Sequence, residues 1–178
     1  MTPEEQTRFP GREARLRDGR QAVIRPLSSE DGPALADFYA SIPAEDRFFY
    51  CPHPLTAEKA MQNAAAADSP HEVVLVAQTP AGDIAGYAWY RWRDEDAAVS
   101  NFGICIRRTH QGVGLGGMLL SFLNDVAQCV GPKVMGLTVQ KRNPRAVALY
   151  RNMGFRVVRE QCRQSDGEPE YYMEREVR

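Results

Sequence analysis

The sequence predicts an α/β chain of the α+β kind: one mixed sheet of about seven strands, antiparallel in its N-terminal part and parallel at a central pair, with four helices. Three observations predict it. The 178 residues, 43% hydrophobic and 25% charged, suffice for one domain that buries roughly 70% of its unfolded surface, so no disulfide or metal staple is needed. Two apolar runs flank Thr79-Pro-Ala-Gly-Asp83, a hairpin signal. A long helical pattern then joins two further apolar strands, and a helix crossing between neighbouring strands makes them parallel.

The elements follow in order. Residues 1–19 interleave Glu4, Glu5, Glu13 and Asp18 with Arg8, Arg12, Arg15 and Arg17; without an apolar segment they read as a polar arm, not a secretory signal, ahead of one domain at 20–178. Ala22 to Leu27 forms a first strand. Ser28-Ser-Glu-Asp31 opens a helix with Leu35, Phe38, Tyr39 and Ile42 on one face. An aromatic, Pro-punctuated loop, Arg47 to Pro54, leads to a second helix capped by Thr56. Residues 72–78 and 84–92 make the hairpin, and Ala97 to Ile106 continues the sheet. Leu115, Leu119, Phe122, Leu123 and Val126 recur at helical spacing, so Gly112 to Gln128 is an amphipathic helix with a glycine-dense start. Val134 to Val139 is the next strand. Asn143 as N-cap, Pro144 at the first helical position and Gly154 past the end bracket a fourth helix. Phe155 to Val158 and Tyr171 to Met173 close the domain.

Composition removes several classes of function. Lys and Arg total 22 against 23 Asp and Glu, for a net charge of −1, which gives no global attraction to nucleic acid or to an anionic membrane. The apolar stretches are shorter than the ~20 residues that span a bilayer. Cys51, Cys105, Cys129 and Cys162 lack paired spacing or histidine partners, which argues against a metal site or a disulfide framework and for a reducing cytoplasm.

Chemistry concentrates in Gln111-Gly-Val-Gly-Leu-Gly-Gly117, at a strand-to-helix junction. Glycines there let backbone N–H groups approach an anion, and the helix dipole favours negative charge. Between Arg107 and Arg151 seven basic residues face Asp125 alone, a local charge of +6. Gly112, Gly114 and Gly117 also spell the dinucleotide-binding pattern, but the next strand ends in Gln140-Lys141-Arg142 with no acidic residue for a ribose, and too little chain follows for the remaining parallel strands. Phosphate of another kind is the predicted guest.

Gln111-x-x-Gly114-x-Gly116 resembles the first motif of the GNAT superfamily of N-acetyltransferases, and Asn143-x-x-Ala146-x-x-Leu149-Tyr150-x-x-x-Gly154-Phe155 resembles its next one, in the same order and separation. The order of elements over roughly residues 20–176 is also similar. The resemblance implies acetyl-CoA as cosubstrate, with no metal, and an amine acceptor in a ternary complex. It places pyrophosphate on the N–H groups of Gln111, Gly112, Val113, Gly114, Leu115, Gly116 and Gly117. Pantetheine would lie like an added strand along Ile104, Cys105 and Ile106, where two strands splay apart. Asn143 would bind the cofactor, and Tyr150 would stand by its sulfur as general acid.

One departure bears on the base. Where many family members carry glutamate, this chain has Asn101, which can position a water but cannot accept a proton at neutral pH. Asp94, Glu95 and Asp96 lie just upstream, and His53 is a second candidate, with an unperturbed pKa suited to the task. The aromatic Arg47-Phe-Phe-Tyr50 run lies where the family builds its acceptor pocket. The resemblance thus implies a small-molecule amine N-acetyltransferase, with a protein lysine or N-terminal acetyltransferase and a non-catalytic CoA-binding domain as alternatives. A homodimer is compatible with the sequence.

Overall fold

Sheet formation starts earlier in the chain than its polar composition predicts. In the computed structural model, which describes residues 1–49 and 53–177, α1 (Pro3–Arg8) leads into β1 (Arg12–Arg15). This strand pairs antiparallel with β2 (Gln21–Pro26), from Arg12↔Ile24 to Arg15↔Gln21. Within residues 1–19, Arg12–Arg15 is therefore a strand of the sheet. Ala14 and Leu16 are buried while Glu13, Arg15 and Arg17 are exposed, so these three of the charges that suggested an arm are the outward half of a period-two pattern.

A 3-10 turn (Ser29–Asp31) precedes α2 (Gly32–Ala40). The single turn α3 (Ala44–Arg47) and α4 (Ala57–Ala65) follow, the latter capped by Thr56, whose hydroxyl accepts the Lys59 N–H at 3.1 Å. Tyr50, Cys51 and Pro52 of the aromatic loop lie outside the described residues. β3 (Glu72–Gln78) and β4 (Ile84–Arg91) form the hairpin, and β5 (Val99–Ile106) extends it antiparallel. α5 (Leu115–Ala127) crosses to β6 (Val134–Gln140), parallel to β5. α6 (Pro144–Asn152), β7 (Arg156–Cys162) and β8 (Pro169–Glu176) complete the order β1-β2-β3-β4-β5-β6-β8-β7. Among the described residues the sheet has eight strands where about seven are predicted. Six α-helices stand among the described residues where four are predicted, since α1 and the one-turn α3 are too short to show a period. None of the described helices is long and apolar enough to cross a membrane.

At its centre the sheet is covered on both faces, which is why β3 and β4 are buried almost continuously. One core joins Leu115, Leu119, Phe122, Leu123 and Val126 of α5 to Leu75, Ala88, Phe102 and Leu137. The opposite core packs Leu35, Phe38 and Tyr39 of α2 and Ala60 of α4 on Val74, Val76, Tyr87 and Trp89.

The central pair is incomplete. β5 and β6 are bonded only from Val99↔Val134 to Asn101↔Gly136, whereas β4 follows β5 as far as Ile106 and β8 follows β6 as far as Gln140. Beyond Asn101 the two half-sheets diverge, which is the splay that the resemblance implies.

A buried ion pair fixes the entry to α2. Arg25 donates to both oxygens of Asp31 at 2.7 Å, and the Ser28 N–H donates to the same carboxylate at 2.8 Å. Burial pushes the Asp31 carboxyl up, but the guanidinium and the N–H outweigh it and hold it below the usual carboxylate range. Asp31→Asn should lower the unfolding free energy by about 2 kcal/mol at neutral pH, because it strands a half-buried guanidinium. A depressed carboxylate stabilises fully above its unfolded value of ~3.9 and loses that contribution as pH falls through the folded one. In urea titrations the gap between parent and variant should therefore be full at pH 7 and shrink below pH 4.

Candidate active site

β5 supplies one wall of the gap. The Arg107 N–H donates to the Ala85 carbonyl on β4 at 2.9 Å, and the register pairs Ile106 with Gly86 and Ile104 with Ala88. In an antiparallel ladder bonded and non-bonded pairs alternate, so the peptide groups of Ile104 and Ile106 turn away from β4 and into the gap. The Ile106 carbonyl accepts Gln111 Nε2 at 2.9 Å. The remaining groups can bond an extended ligand as a strand would.

β5 then runs through a 3-10 turn (Arg108–His110) into the glycine loop. Gly112 and Gly114 have φ of +79° and +93°, backbone that glycine adopts without strain. Gly114 is the N-cap of α5, so the N–H groups of Leu115, Gly116 and Gly117 have no acceptor inside the helix. At Gly117 a β-carbon would meet nothing within 4 Å. Helical glycine costs ~1 kcal/mol relative to alanine, and packing gives no reason for it here. A bare, N–H-lined helix start with room above it fits a phosphate group.

The surrounding charges differ from the simple reading of a basic segment. Arg108 pairs with Glu45 at 2.9 Å and Asp46 at 2.8 Å, Lys141 with Glu160, and Arg142 with Glu168 at 2.9 Å. Lys133 caps the far end of α5 on the carbonyls of Ala127 and Gln128. Most of the +6 is thus neutralised or spent away from the loop. The cations at the glycines are Arg145, whose Nη2 would lie 3.4 Å from a β-carbon on Gly112, and Arg17, whose Nε would lie 3.5 Å from one on Gly114. Arg17 also donates its N–H to the Val113 carbonyl at 3.0 Å. It escaped the sequence reading because nothing local distinguishes it from its arginine neighbours; only the pairing of β1 carries it to the loop. The Gln111 side chain braces the loop, donating to Ile106 and accepting from Arg145 Nη1 at 3.0 Å.

α6 brings the second motif to the same gap. Asn143 Oδ1 accepts the Ala146 N–H at 3.1 Å, the cap that the sequence predicts. Tyr150 packs edge-on against Phe102 and Phe155, with ring centroids 6.1 and 5.8 Å apart, and its hydroxyl makes no hydrogen bond to a described residue. Burial pushes that hydroxyl well above the usual tyrosine value, and the Cys105 thiol adds to the effect. Cys105 is itself pushed up to about 12 by burial and by Asp46, so it is a neutral wall of the gap and not a nucleophile.

The candidate bases are dispersed. Asn101 is exposed at the last bonded rung. His53 lies under α2 and α4: Nδ1 is 3.0 Å from the Pro54 carbonyl, and Nε2 is 3.3 Å from Tyr39 Oη and 3.2 Å from Asn63 Nδ2. Burial lowers its pKa against the opposing Pro54 bond. Asp94 pairs with Arg93 at 2.7 Å in a solvated turn. On the face of the sheet covered by α2 and α4, Trp89 covers Gly103, where any β-carbon would lie 2.4 Å from the indole. Arg91 stacks on that ring at 4.4 Å and pairs with Glu72. Phe48 closes the other edge: its carbonyl accepts from Gln140 Nε2 at 2.7 Å and Arg163 Nη1 at 3.0 Å.

Comparison with known proteins agrees with this geometry. Residues 36–155 match the model of the acetyltransferase (GNAT) family. The L-methionine sulfoximine/L-methionine sulfone acetyltransferase of Pseudomonas aeruginosa is 32% identical over 87 residues, which are 47% of this chain and 51% of that one. The chain thus spans about half the length of the curated relatives it matches. Among solved structures, the GNAT domain of S. lividans PAT superposes with a TM-score of 0.79 at 21% identity, covering 94% of this chain and 97% of that one. A GNAT-family acetyltransferase from Streptococcus pneumoniae gives 0.76 at 26%, covering 88% and 99%. Because the family match runs from within α2 to Phe155, and so takes in both motifs and the gap between β5 and β6, this chain belongs to the GNAT acetyltransferase family.

Proposed function

We propose that this protein is an acetyl-CoA-dependent N-acetyltransferase that transfers the acetyl group directly to a primary amine of a small molecule. The single observation that carries the reading is the gap itself, with main-chain groups of β5 facing it and the glycine start of α5 at its open end. Bound acetyl-CoA would supply an activated thioester. The N–H groups of Leu115, Gly116 and Gly117, with Arg17 and Arg145 beside them, would hold the pyrophosphate. Ile104 and Ile106 would bond the pantetheine arm, and the Asn143 amide would add a donor. Tyr150 stays protonated at neutral pH, as an acid beside the leaving sulfur must be. A small acceptor is supported by the Phe48 contacts on the acceptor side, and by the relatives that act on L-methionine sulfoximine and L-methionine sulfone, which are amino acids. Asn101 would position water near the acceptor.

Two outcomes test this reading. At about 100 times its dissociation constant CoA should stabilise the protein by ~2.7 kcal/mol, a rise in Tm of about 5–10 °C. Gly117→Glu, which meets no steric obstacle but sets a carboxylate on the helix start, should abolish the rise, and Arg17→Ala should reduce it; calorimetric scans with and without CoA measure both. Tyr150→Phe should lower kcat by roughly 10- to 100-fold with little change in acetyl-CoA affinity, since a thiol of pKa ~8.5 leaves with modest help. Steady-state thiol release over pH 6–9 reads that split.

A further inference from the structure

Where Asn101 leaves the family's position for a base unfilled, a different pair of groups stands one strand away. A single row crosses the sheet on the acceptor face: Glu72↔Arg91, Arg91↔Asn101, Asn101↔Gly136 and Gly136↔Glu174. Gly136 is the last residue of β6 bonded to β5, so it marks the vertex of the gap. A β-carbon on Gly136 would lie 2.8 Å from the Tyr172 hydroxyl, which places that hydroxyl over the vertex, on the face Asn101 occupies. Tyr172 donates to Glu174 Oε1 at 2.7 Å.

We infer that Tyr172 and Glu174 together accept the proton of the acceptor amine. The inference rests on the acetyltransferase reading above. As an N–H bond of the ammonium breaks, an O–H bond forms on Tyr172, and the Tyr172 proton passes to Glu174. The freed lone pair can then attack the thioester carbonyl. Of the two protons the nitrogen loses, one leaves by this route to bulk water, which the half-buried Glu174 reaches. The other ends on the CoA thiol by way of Tyr150. Burial and the neighbouring Glu174 carboxylate push the Tyr172 hydroxyl up to about 12, so it serves as a relay and not as a standing anion.

The other carboxylates on this face are engaged elsewhere. Glu72 is paired with Arg91, and Glu170 lies across from Gln140, away from the vertex, where it accepts Gln161 Nε2 at 2.7 Å. Glu174 has no ion pair among the described residues. The charged groups near the dyad are Arg156, paired in register with Glu174, and Arg159, stacked on Tyr172 at 4.0 Å, both on β7. Glu176 follows on β8 itself, and β6 presents Gly136 and Thr138, which carry no charge.

The test uses acetyl-CoA with a panel of primary amines of graded pKa that includes L-methionine sulfone, with thiol release as readout. Tyr172→Phe and Glu174→Gln should each lower kcat/KM about 30- to 300-fold at pH 7. The deficit should shrink as pH approaches the pKa of the amine, where free base no longer needs a proton acceptor. It should also shrink for the least basic amines at fixed pH. CoA-induced stabilisation should match the parent, which shows that both variants fold. Full activity in both variants, or a deficit constant across pH and amine basicity, would overturn the dyad while leaving acetyl transfer intact. No thiol release by the parent with any amine would overturn the acetyltransferase reading, and the dyad with it.

Discussion

A parallel ladder that stops after three rungs is the constraint on which the rest of this structure depends. Every strand residue carries a donor and an acceptor that must be paired or hydrated. On β5 those of Ile104 and Ile106 face a neighbour that has moved away. The divergence is held from behind: Leu115 and Leu119 of α5 and Val147 and Tyr150 of α6 belong to one buried core that spans both half-sheets. Filling the gap with a sheet partner would require that core to repack. The cleft is therefore a product of helix packing, and the polar backbone within it is a consequence.

The electrostatics of the cleft follow from pairing as much as from composition. Counting charges along residues 107–151 locates a basic segment, yet its members are drawn off by acidic partners on α3, β7 and the β7–β8 turn. What reaches the glycine loop comes from α6 and from Arg17 in the β1–β2 turn, far away in the sequence. Exposed pairs of this kind contribute little to stability, ~0–1 kcal/mol each. Their effect is to decide which guanidinium groups are left to meet a ligand.

Much of the fold could be read from the residues, because its long elements carry strong periods or firm boundaries. Thr56 and Asn143 cap their helices as their residue types indicate, and the 79–83 turn closes the hairpin it suggests. The glycine loop lies at a strand-to-helix junction. What could not be read lies in short or long-range features. β1 is four residues long with a single buried position, too brief for a pattern. Arg17 acquires meaning through its bond to Val113 and the Tyr172–Glu174 pair through the register of β6 and β8, which no local spacing encodes. The +6 segment misled for the same reason, since its partners are remote in sequence.

The three-rung ladder also bears on how the chain reaches its native state. Strands β1 to β5 form a meander of antiparallel neighbours, and β6, β8 and β7 form a second antiparallel unit, each able to gather its own contacts. Joining them requires the crossover through α5 to close before the few β5–β6 bonds reward it, an ordering that loop entropy disfavours early. The seam between the units is thus joined by only three paired residues. Occupation of the cleft from solution would act on that seam as a missing strand does, so tightening of the molecule and filling of the cleft become one event.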